Sequence, residues 1–265
     1  MENDIRLSAL KRADDLLAQM NARPPLTPPA AARLREELKI ETTYDSNAIE
    51  GSTLTLRETV IVLKDAVTVG NGIPLRDIDA ARGFARGFDA VFELAAKRQS
   101  INVGTIKALH NFVQLGALPE FCGRFRDHNV RILGTNAKPA DYRDVPFKVE
   151  ELAAWVNGAQ AHALHPIERA ALFHARFETI HPFADGNGRT GRLLLNFMLI
   201  QNGWWPVNIR YREDRSRYYD ALAAFNETGC ADDLTVLIAE RAAAQLELCI
   251  RVADPQENAK RLGLG

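Results

Sequence analysis

His181-Pro182-Phe183-Ala184-Asp185-Gly186-Asn187-Gly188-Arg189-Thr190-Gly191-Arg192 is the stretch whose reading decides this chain. It lies between two apolar segments with helical periodicity, about Pro166 to Ile180 and Gly188 to Gln201. Gly186 and Gly188 free the backbone to turn its N–H groups inward as a nest, and a helix opening near Gly188 adds the positive end of its dipole. The segment therefore reads as an anion site. Arg189 and Arg192 fall three apart in the first turns of that helix, so both guanidinium forks face one spot, which suits two phosphates better than one. A diphosphate or triphosphate is the expected guest. Asp185 brings an acid into this positive pocket, best explained by a shared Mg2+ that keeps most of its waters. His181 just precedes the site, and an ordinary imidazole pKa of about 6.5 suits a general base that takes a proton from an incoming hydroxyl. Each residue alone also fits an ordinary capped loop with solvated arginines. Together, at roughly 1 in 15 per specified position, they make a chance match on the order of one in a billion per start site.

Outward from this stretch the chain is helical in pattern. Ile5, Leu10, Ala13, Leu16, Leu17 and Met20 share one stripe that stops before a stiff Pro-rich joint at Pro24 to Pro29. Thr27 caps a second helix with Pro28 in its first turn, expected to run to about Tyr44. Thr55-Leu56-Arg57-Glu58 is a capping box announcing a helix through Val60, Leu63 and Val67, until Gly70-Asn71-Gly72. Further helices are expected over Leu75 to Ala96, Val103 to Val113, Pro146 to Asn157, Arg215 to Phe225 and Asp232 to Val252. Between Gly116 and Val145 the texture changes, and Val130-Arg131-Ile132-Leu133, closed by Gly134-Thr135-Asn136, reads as one arm of a hairpin. The expected fold class is all-α with one small β-hairpin.

Composition bounds the function. The 265 residues are 46% apolar, enough for a sizeable core, and 33 basic against 34 acidic side chains leave a formal charge of -1. That balance excludes the bulk positive field of a general nucleic-acid or acidic-membrane binder. Cys122, Cys230 and Cys249 form neither a disulfide framework nor a zinc ribbon, so a reducing cytosol is the expected compartment. The acidic opening Met1-Glu2-Asn3-Asp4 is unlike a basic signal-peptide start, and the apolar run Leu193 to Ile200 is too short to span a membrane.

The 181–192 stretch matches H-x-F-x-[DE]-G-N-G-R-x-x-R at every position and resembles the motif of the Fic (Fic/Doc fold) family. The resemblance extends from about Gly123 to Asn226 and implies a Fic-type helical bundle. Members with this form transfer AMP from Mg-ATP to a Ser, Thr or Tyr hydroxyl of a protein and release pyrophosphate, whereas the phosphorylating Doc branch departs at the G-N-G-R segment. By this resemblance His181 is the base, Asp185 the Mg2+ ligand, Gly186, Asn187 and Gly188 the α-phosphate cradle, and Arg189 and Arg192 the clamps on the outer phosphates. Val130, Arg131, Ile132, Leu133 and Gly134 resemble the family flap, a hairpin that lays the target segment beside the site by strand pairing. Tyr219 and Asn226 match positions that in related proteins contact adenine; as bare residues, a Tyr-Tyr pair on a helix is more often packing than a base platform. The charged run Arg210 to Arg217 reads as a solvated face.

Upstream, Ser46-Asn47-Ala48-Ile49-Glu50-Gly51 resembles the [ST]-x-x-x-E-[GN] inhibitory motif of the subclass with an N-terminal inhibitory helix. Taken without the resemblance, it is any short helix with a C-terminal glycine. The resemblance implies that Glu50 occupies the pocket of Arg192, so the guanidinium meant for the γ-phosphate is neutralised internally.

The expected organisation is an N-terminal helical region, 1–72, carrying the inhibitory segment 46–51; a catalytic core, 73–230, with the flap at about 123–145; and a C-terminal helix, 231–265. The partner implied is a protein bearing a hydroxyl, with self-modification and a homo-oligomer both compatible. Removal of AMP by the same pocket, with Glu50 positioning water, is not separated from transfer by the sequence. His162, His165, His174 and His181 lack metalloenzyme spacing and read as surface and packing histidines. A non-catalytic helical regulator or DNA-binding adaptor is disfavoured by the charge balance and by the short stretch after Cys230.

Overall fold

The computed structural model describes residues 2–64, 72–114, 121–132 and 138–253. They form α1 (Glu2–Asn21), α2 (Pro28–Ile49), α3 (Leu56–Lys64), α4 (Leu75–Ala96), α5 (Val103–Gln114), α6 (Val145–Val156), α7 (Ala159–His162), α8 (Pro166–Ile180), α9 (Asn187–Gln201), α10 (Tyr211–Thr228) and α11 (Asp232–Ala253). Local chemistry sets several of the helix starts. Thr27 Oγ1 accepts from Ala30 N, and Thr55 and Glu58 satisfy each other's backbone N–H groups at the start of α3. His165 plays the same part for α8, its ring taking the Ile167 N–H while the Glu168 carboxylate takes its own N–H. The short α7 carries too little periodicity to be read from sequence. The continuation of α3 through Val67 to Gly70 lies outside the described residues, as does chain beyond 253.

The α8–α9 pair is the axis of the molecule. Leu193, Leu194, Phe197 and Leu199 on α9 and Phe173 and Phe177 on α8 are completely buried. α4 and α5 cover one side of α9, while α11 packs on α8 with α1 outside it, and one contiguous core reaches from Leu10 to Leu246. The turn joining α8 to α9 therefore comes off the most rigid part of the fold. α2 and α10 close over it from the other side.

Two boundaries and one element differ from expectation. α2 continues past Tyr44 to Ile49 because tertiary partners hold its last turn. Asp45 accepts from Asn208 Nδ2 at 2.6 Å and from Tyr211 N at 3.0 Å, and residues 45–49 are all buried. The helix then ends in a Schellman motif, with Ser52 N donating to Asn47 O, Gly51 N to Ala48 O, and Gly51 at φ +91°. That leaves Glu50 as the C-cap residue, its side chain projecting from the helix end. α10 begins at Tyr211 rather than Arg215, since Asp214 takes the Arg210 N–H at 2.7 Å and Arg241 at 2.7 Å. Asp214 is thus a buried anchor inside a run expected to be solvated.

The hairpin is not found among the described residues, which contain no strand. Val130, Arg131 and Ile132 are irregular backbone, and Leu133 and Gly134 lie outside the described residues. Side chains clasp this region where a strand ladder was expected: Asn129 donates to Asp141 Oδ2 at 3.2 Å and accepts from Tyr142 N at 2.9 Å. Arg126 donates to the carbonyls of His128 and Ala140. Among the described residues no helix is long and apolar enough to cross a membrane.

Candidate functional site

The α8–α9 turn is built by its own side chains. His181 ends α8 in the left-handed conformation at φ +50°, and Gly186, at φ +79°, opens α9. Asn187 clasps the loop between them: its Oδ1 accepts from Phe183 N at 2.9 Å and its Nδ2 donates to Phe183 O at 2.8 Å. Its side chain is therefore committed to the loop, and what it offers an anion is its backbone N–H. The first helical hydrogen bond of α9 is Thr190 N to Gly186 O, so the N–H groups of Asn187, Gly188 and Arg189 precede it, as an anion site requires.

α5 grips the same loop twice. His110 stacks on Phe183 with ring centres 3.6 Å apart and planes within 3°. Its Nδ1 accepts from Gly123 N, which fixes the other nitrogen as the donor to Asp185 O at 3.0 Å. Burial pushes its pKa down to about 4, keeping the ring neutral. One turn on, Gln114 Nε2 donates to Asp185 Oδ2 at 3.0 Å, and Arg189 donates to the same oxygen at 2.9 Å. Burial alone would raise the Asp185 pKa, but Arg189 and then Gln114 outweigh it and hold the carboxyl below its usual range. Both donors use Oδ2, and a single oriented carboxylate of this kind suits Mg2+ bound mainly by phosphates and water. Among the described residues no cluster of three His, Cys, Asp or Glu forms a metal centre.

Arg192 is 3% exposed; its Nε and Nη2 are engaged by the end of α2, while Nη1 donates to the Tyr218 hydroxyl of α10 at 3.5 Å. Its Nε donates to Ser46 Oγ at 2.9 Å, and Nη2 donates to Ser46 O at 2.9 Å and to Glu50 Oε1 at 2.7 Å. Burial disfavours its charge, but Glu50 reverses the balance and its pKa lies above the ordinary value. The Glu50 carboxylate also lies against Gly188, where a Cβ would overlap Oε1; only glycine leaves that space. Glu50 therefore sits over the first turn of α9, in the position an anionic ligand of that helix end would take. Arg189 and Arg192 do not share one anion here; each is paired with its own carboxylate.

His181 flanks this pair. Arg126 Nε donates to its carbonyl at 2.8 Å and Arg126 N to Pro182 O at 3.0 Å, so the 126–142 region is fastened directly to the base of the site. Burial pushes the imidazole pKa down to about 4, offset only in part by the neighbouring Glu178 carbonyl, Glu50 and Asp185. The ring is neutral at neutral pH, a proton acceptor of lower affinity than its ordinary value suggested. Tyr219, 40% exposed, donates to Ile49 O at the end of α2 at 3.3 Å, and Asn226 accepts from Thr179 Oγ1 of α8 at 2.7 Å. Tyr218 beside it is buried and bonded to His174 Nε2 at 2.7 Å.

The residues missed by sequence reasoning are His110, Gln114, Arg126 and Glu178. His110 and Gln114 carried a signal, two polar groups four apart on an otherwise apolar helix face. The remaining histidines are dispersed: His165 caps α8, His162 meets Arg169, and His174 meets Tyr218.

A family model described as Fic/DOC family matches residues 100–199. The chain is 32% identical over 222 residues to "Protein adenylyltransferase Fic" of Drosophila mojavensis, covering 84% of this chain and 43% of that protein. It is 35% identical over 195 residues to the protein of the same name from Nematostella vectensis, covering 73% and 45%. It thus spans less than half the length of these relatives. Among solved structures it superposes on a Fic domain containing signaling protein from Bacteroides thetaiotaomicron with a TM-score of 0.82 at 26% identity, over 91% of this chain and 96% of that one. Fic-1 of C. elegans gives a TM-score of 0.83 at 26% identity, over 98% and 74%.

Proposed function

This chain belongs to the Fic/DOC family through its residues 100–199, and on that premise we propose that it is a protein adenylyltransferase held off by its own α2. The reaction is transfer of AMP from ATP to a Ser, Thr or Tyr hydroxyl of a protein, with release of pyrophosphate. The observation that carries this reading is the Glu50 carboxylate resting on Gly188 and Arg192, an internal anion on a helix N-terminus suited to phosphate.

In this reading the N–H groups of Gly186, Asn187 and Gly188 cradle the α-phosphate, and Arg189 and Arg192 hold the outer phosphates. His181 accepts the proton of the incoming hydroxyl during in-line attack at the α-phosphorus. Mg2+ bound at Asp185 would offset phosphate charge. Tyr219 and Asn226 flank the adenine, and residues 130–134 lay the target strand beside the site. Glu50 and Ser46 together keep Arg192 from the γ-phosphate. The segment 1–72 is then the inhibitory region, 73–230 the catalytic core and 231–265 its closing helix, working in the cytosol on a protein hydroxyl.

The test is intact-mass analysis of candidate targets, and of the chain itself, after incubation of the Glu50→Gly variant with each nucleoside triphosphate. A gain of one adenylyl group from ATP supports the proposal. Loss of that group from a modified target, without any gain, would replace transfer by removal, and no change with any donor would overturn both.

A further inference from the structure

One acid in the site has no part in the roles above. Glu178 lies on α8 three residues before His181, with its side chain 12% exposed and its Oε1 buried without a hydrogen-bond partner. Its Oε2 is 3.9 Å from His181 Nδ1, a buried nitrogen with no side-chain hydrogen bond, whose other polar neighbour is the Glu178 carbonyl. His174, one turn earlier, buries its Nδ1 beside the Gly191 backbone. His174 and Glu178 stand at i and i+4 on one stripe of α8, with His181 following as its C-cap, and that stripe backs onto Gly191, where a Cβ would overlap Glu178 Oε1 and crowd His174. Burying a carboxyl with an oxygen left unbonded is costly, and no helix cap or loop clasp gains from it.

Nδ1 of His181 faces inward toward Glu178, which leaves Nε2 for the substrate. At 3.9 Å the contact is too long for a hydrogen bond to a neutral ring but within ion-pair range of an imidazolium. We propose that Glu178 is a positioning residue for His181, its carboxylate stabilising the imidazolium that forms when Nε2 takes the proton of the target hydroxyl. No proton passes to Glu178. The hydroxyl oxygen forms its bond to the α-phosphorus, the bond to pyrophosphate breaks, and the charge pair exists only once the proton has moved, so it favours the transition state over the resting site. This rests on the reading of His181 as the base.

Glu178 is faced by Arg192 of α9, Glu50 of α2, Tyr218 of α10, and His174 and His181 of its own helix. Burial pushes its pKa up to about 8; Arg192 opposes the shift and Glu50 adds to it. The carboxylate is therefore scarce near neutral pH and becomes the main form in alkaline solution.

The experiment follows self-labelling by α-labelled ATP in the Glu50→Gly background, with and without Glu178→Gln, from pH 6 to 9. The rate at saturating ATP should rise through one step in the parent as Glu178 ionises, at a lower pH than in the wild-type chain because Glu50 no longer adds to the shift. Glu178→Gln should remove the step, leaving rates equal at pH 6 and about tenfold lower above it, one pKa unit in the proton affinity of His181, with the half-saturating ATP concentration unchanged. Glu178→Asp should retain a weakened step. Independently of turnover, the ring nitrogens of His181 in the wild-type chain should report a shift by NMR as Glu178 titrates, absent in Glu178→Gln. A step that survives Glu178→Gln, a loss that is the same at every pH, or identical ring titrations would overturn the proposal. If no variant incorporates label, the transferase reading falls, and the ring titration still decides the Glu178 contact.

Discussion

Arg192 and Glu50, 142 positions apart, meet at 2.7 Å over the first turn of α9, with Gly188 beneath them too small to keep the carboxylate away. With Nε and Nη2 of Arg192 taken by Ser46 and Glu50, those donors cannot at once hold a phosphate, so anion binding through them and this contact exclude each other.

Glu50→Gly should release the competition. With the contact worth about 3 kcal/mol, the competent fraction rises roughly a hundredfold, measured as label transferred from α-labelled ATP. Glu50→Gly combined with His181→Ala should be silent while still binding nucleotide. The single variant should also lose thermal stability without ligand, because buried Arg192 loses its counter-charge, and regain it with ATP. An equal thermal response to ATP in wild type and variant would count against the competition.

Gln114→Leu should loosen Asp185. Removing one of the two donors to Oδ2 leaves Arg189 to orient the carboxylate alone, so the Mg2+ concentration for half-maximal transfer should rise about tenfold, at the low end for outer-shell partners of a metal ligand. Mn2+ binding followed by EPR with a nonhydrolysable ATP analogue gives the same comparison without turnover. Unchanged Mn2+ affinity would remove Gln114 from this role.

Arg126→Met should destabilise the fold by about 2–4 kcal/mol, since the carbonyls of His181, His128, Ala140 and Ile180 lose their shared donor. The shift in the urea midpoint at constant slope measures it. A loss under about 0.5 kcal/mol, typical of surface positions, would show that the region is held by other contacts.

Acid should unfold the protein through its buried imidazoles. His110 and His181 are pushed down to about 4 and His174 to about 3, all chiefly by burial. The unfolded chain binds these protons near pH 6.5, so stability is full above that value and is lost as pH falls toward 4, by about 1.4 kcal/mol per pH unit for each ring. Glu178, raised to about 8, acts in the opposite sense, contributing most below its unfolded value and losing this as pH rises toward 8. Where the windows overlap the three rings outweigh Glu178, and above about pH 6.5 only Glu178 acts, so maximum stability should lie near pH 6.5, and His174→Gln should flatten the acid limb of the urea midpoint against pH.

The sequence by itself determined what local chemistry governs. The turn from His181 to Arg192 between two helices, the caps at Thr27 and Thr55, and the glycine that ends α2 were legible because each is decided by a few neighbouring residues. The pairing of Glu50 with Arg192 was expected only through family resemblance, since no local rule joins residues so far apart. Tertiary structure decided the rest. α2 runs on to Ile49 because Asn208 and Tyr211 hold Asp45. Residues 130–132 are irregular, and beside them Arg126 and Asn129 side chains bond the carbonyls of His128 and Ala140 and the N–H of Tyr142. His181 becomes a weaker acceptor than an exposed imidazole because the packed helices exclude water from it. His110, Gln114 and Glu178 were hidden for the same physical reason. A polar side chain on an apolar helix face has no meaning until the fold brings its partner within 3 or 4 Å, and that distance is set by packing between elements far apart in the chain.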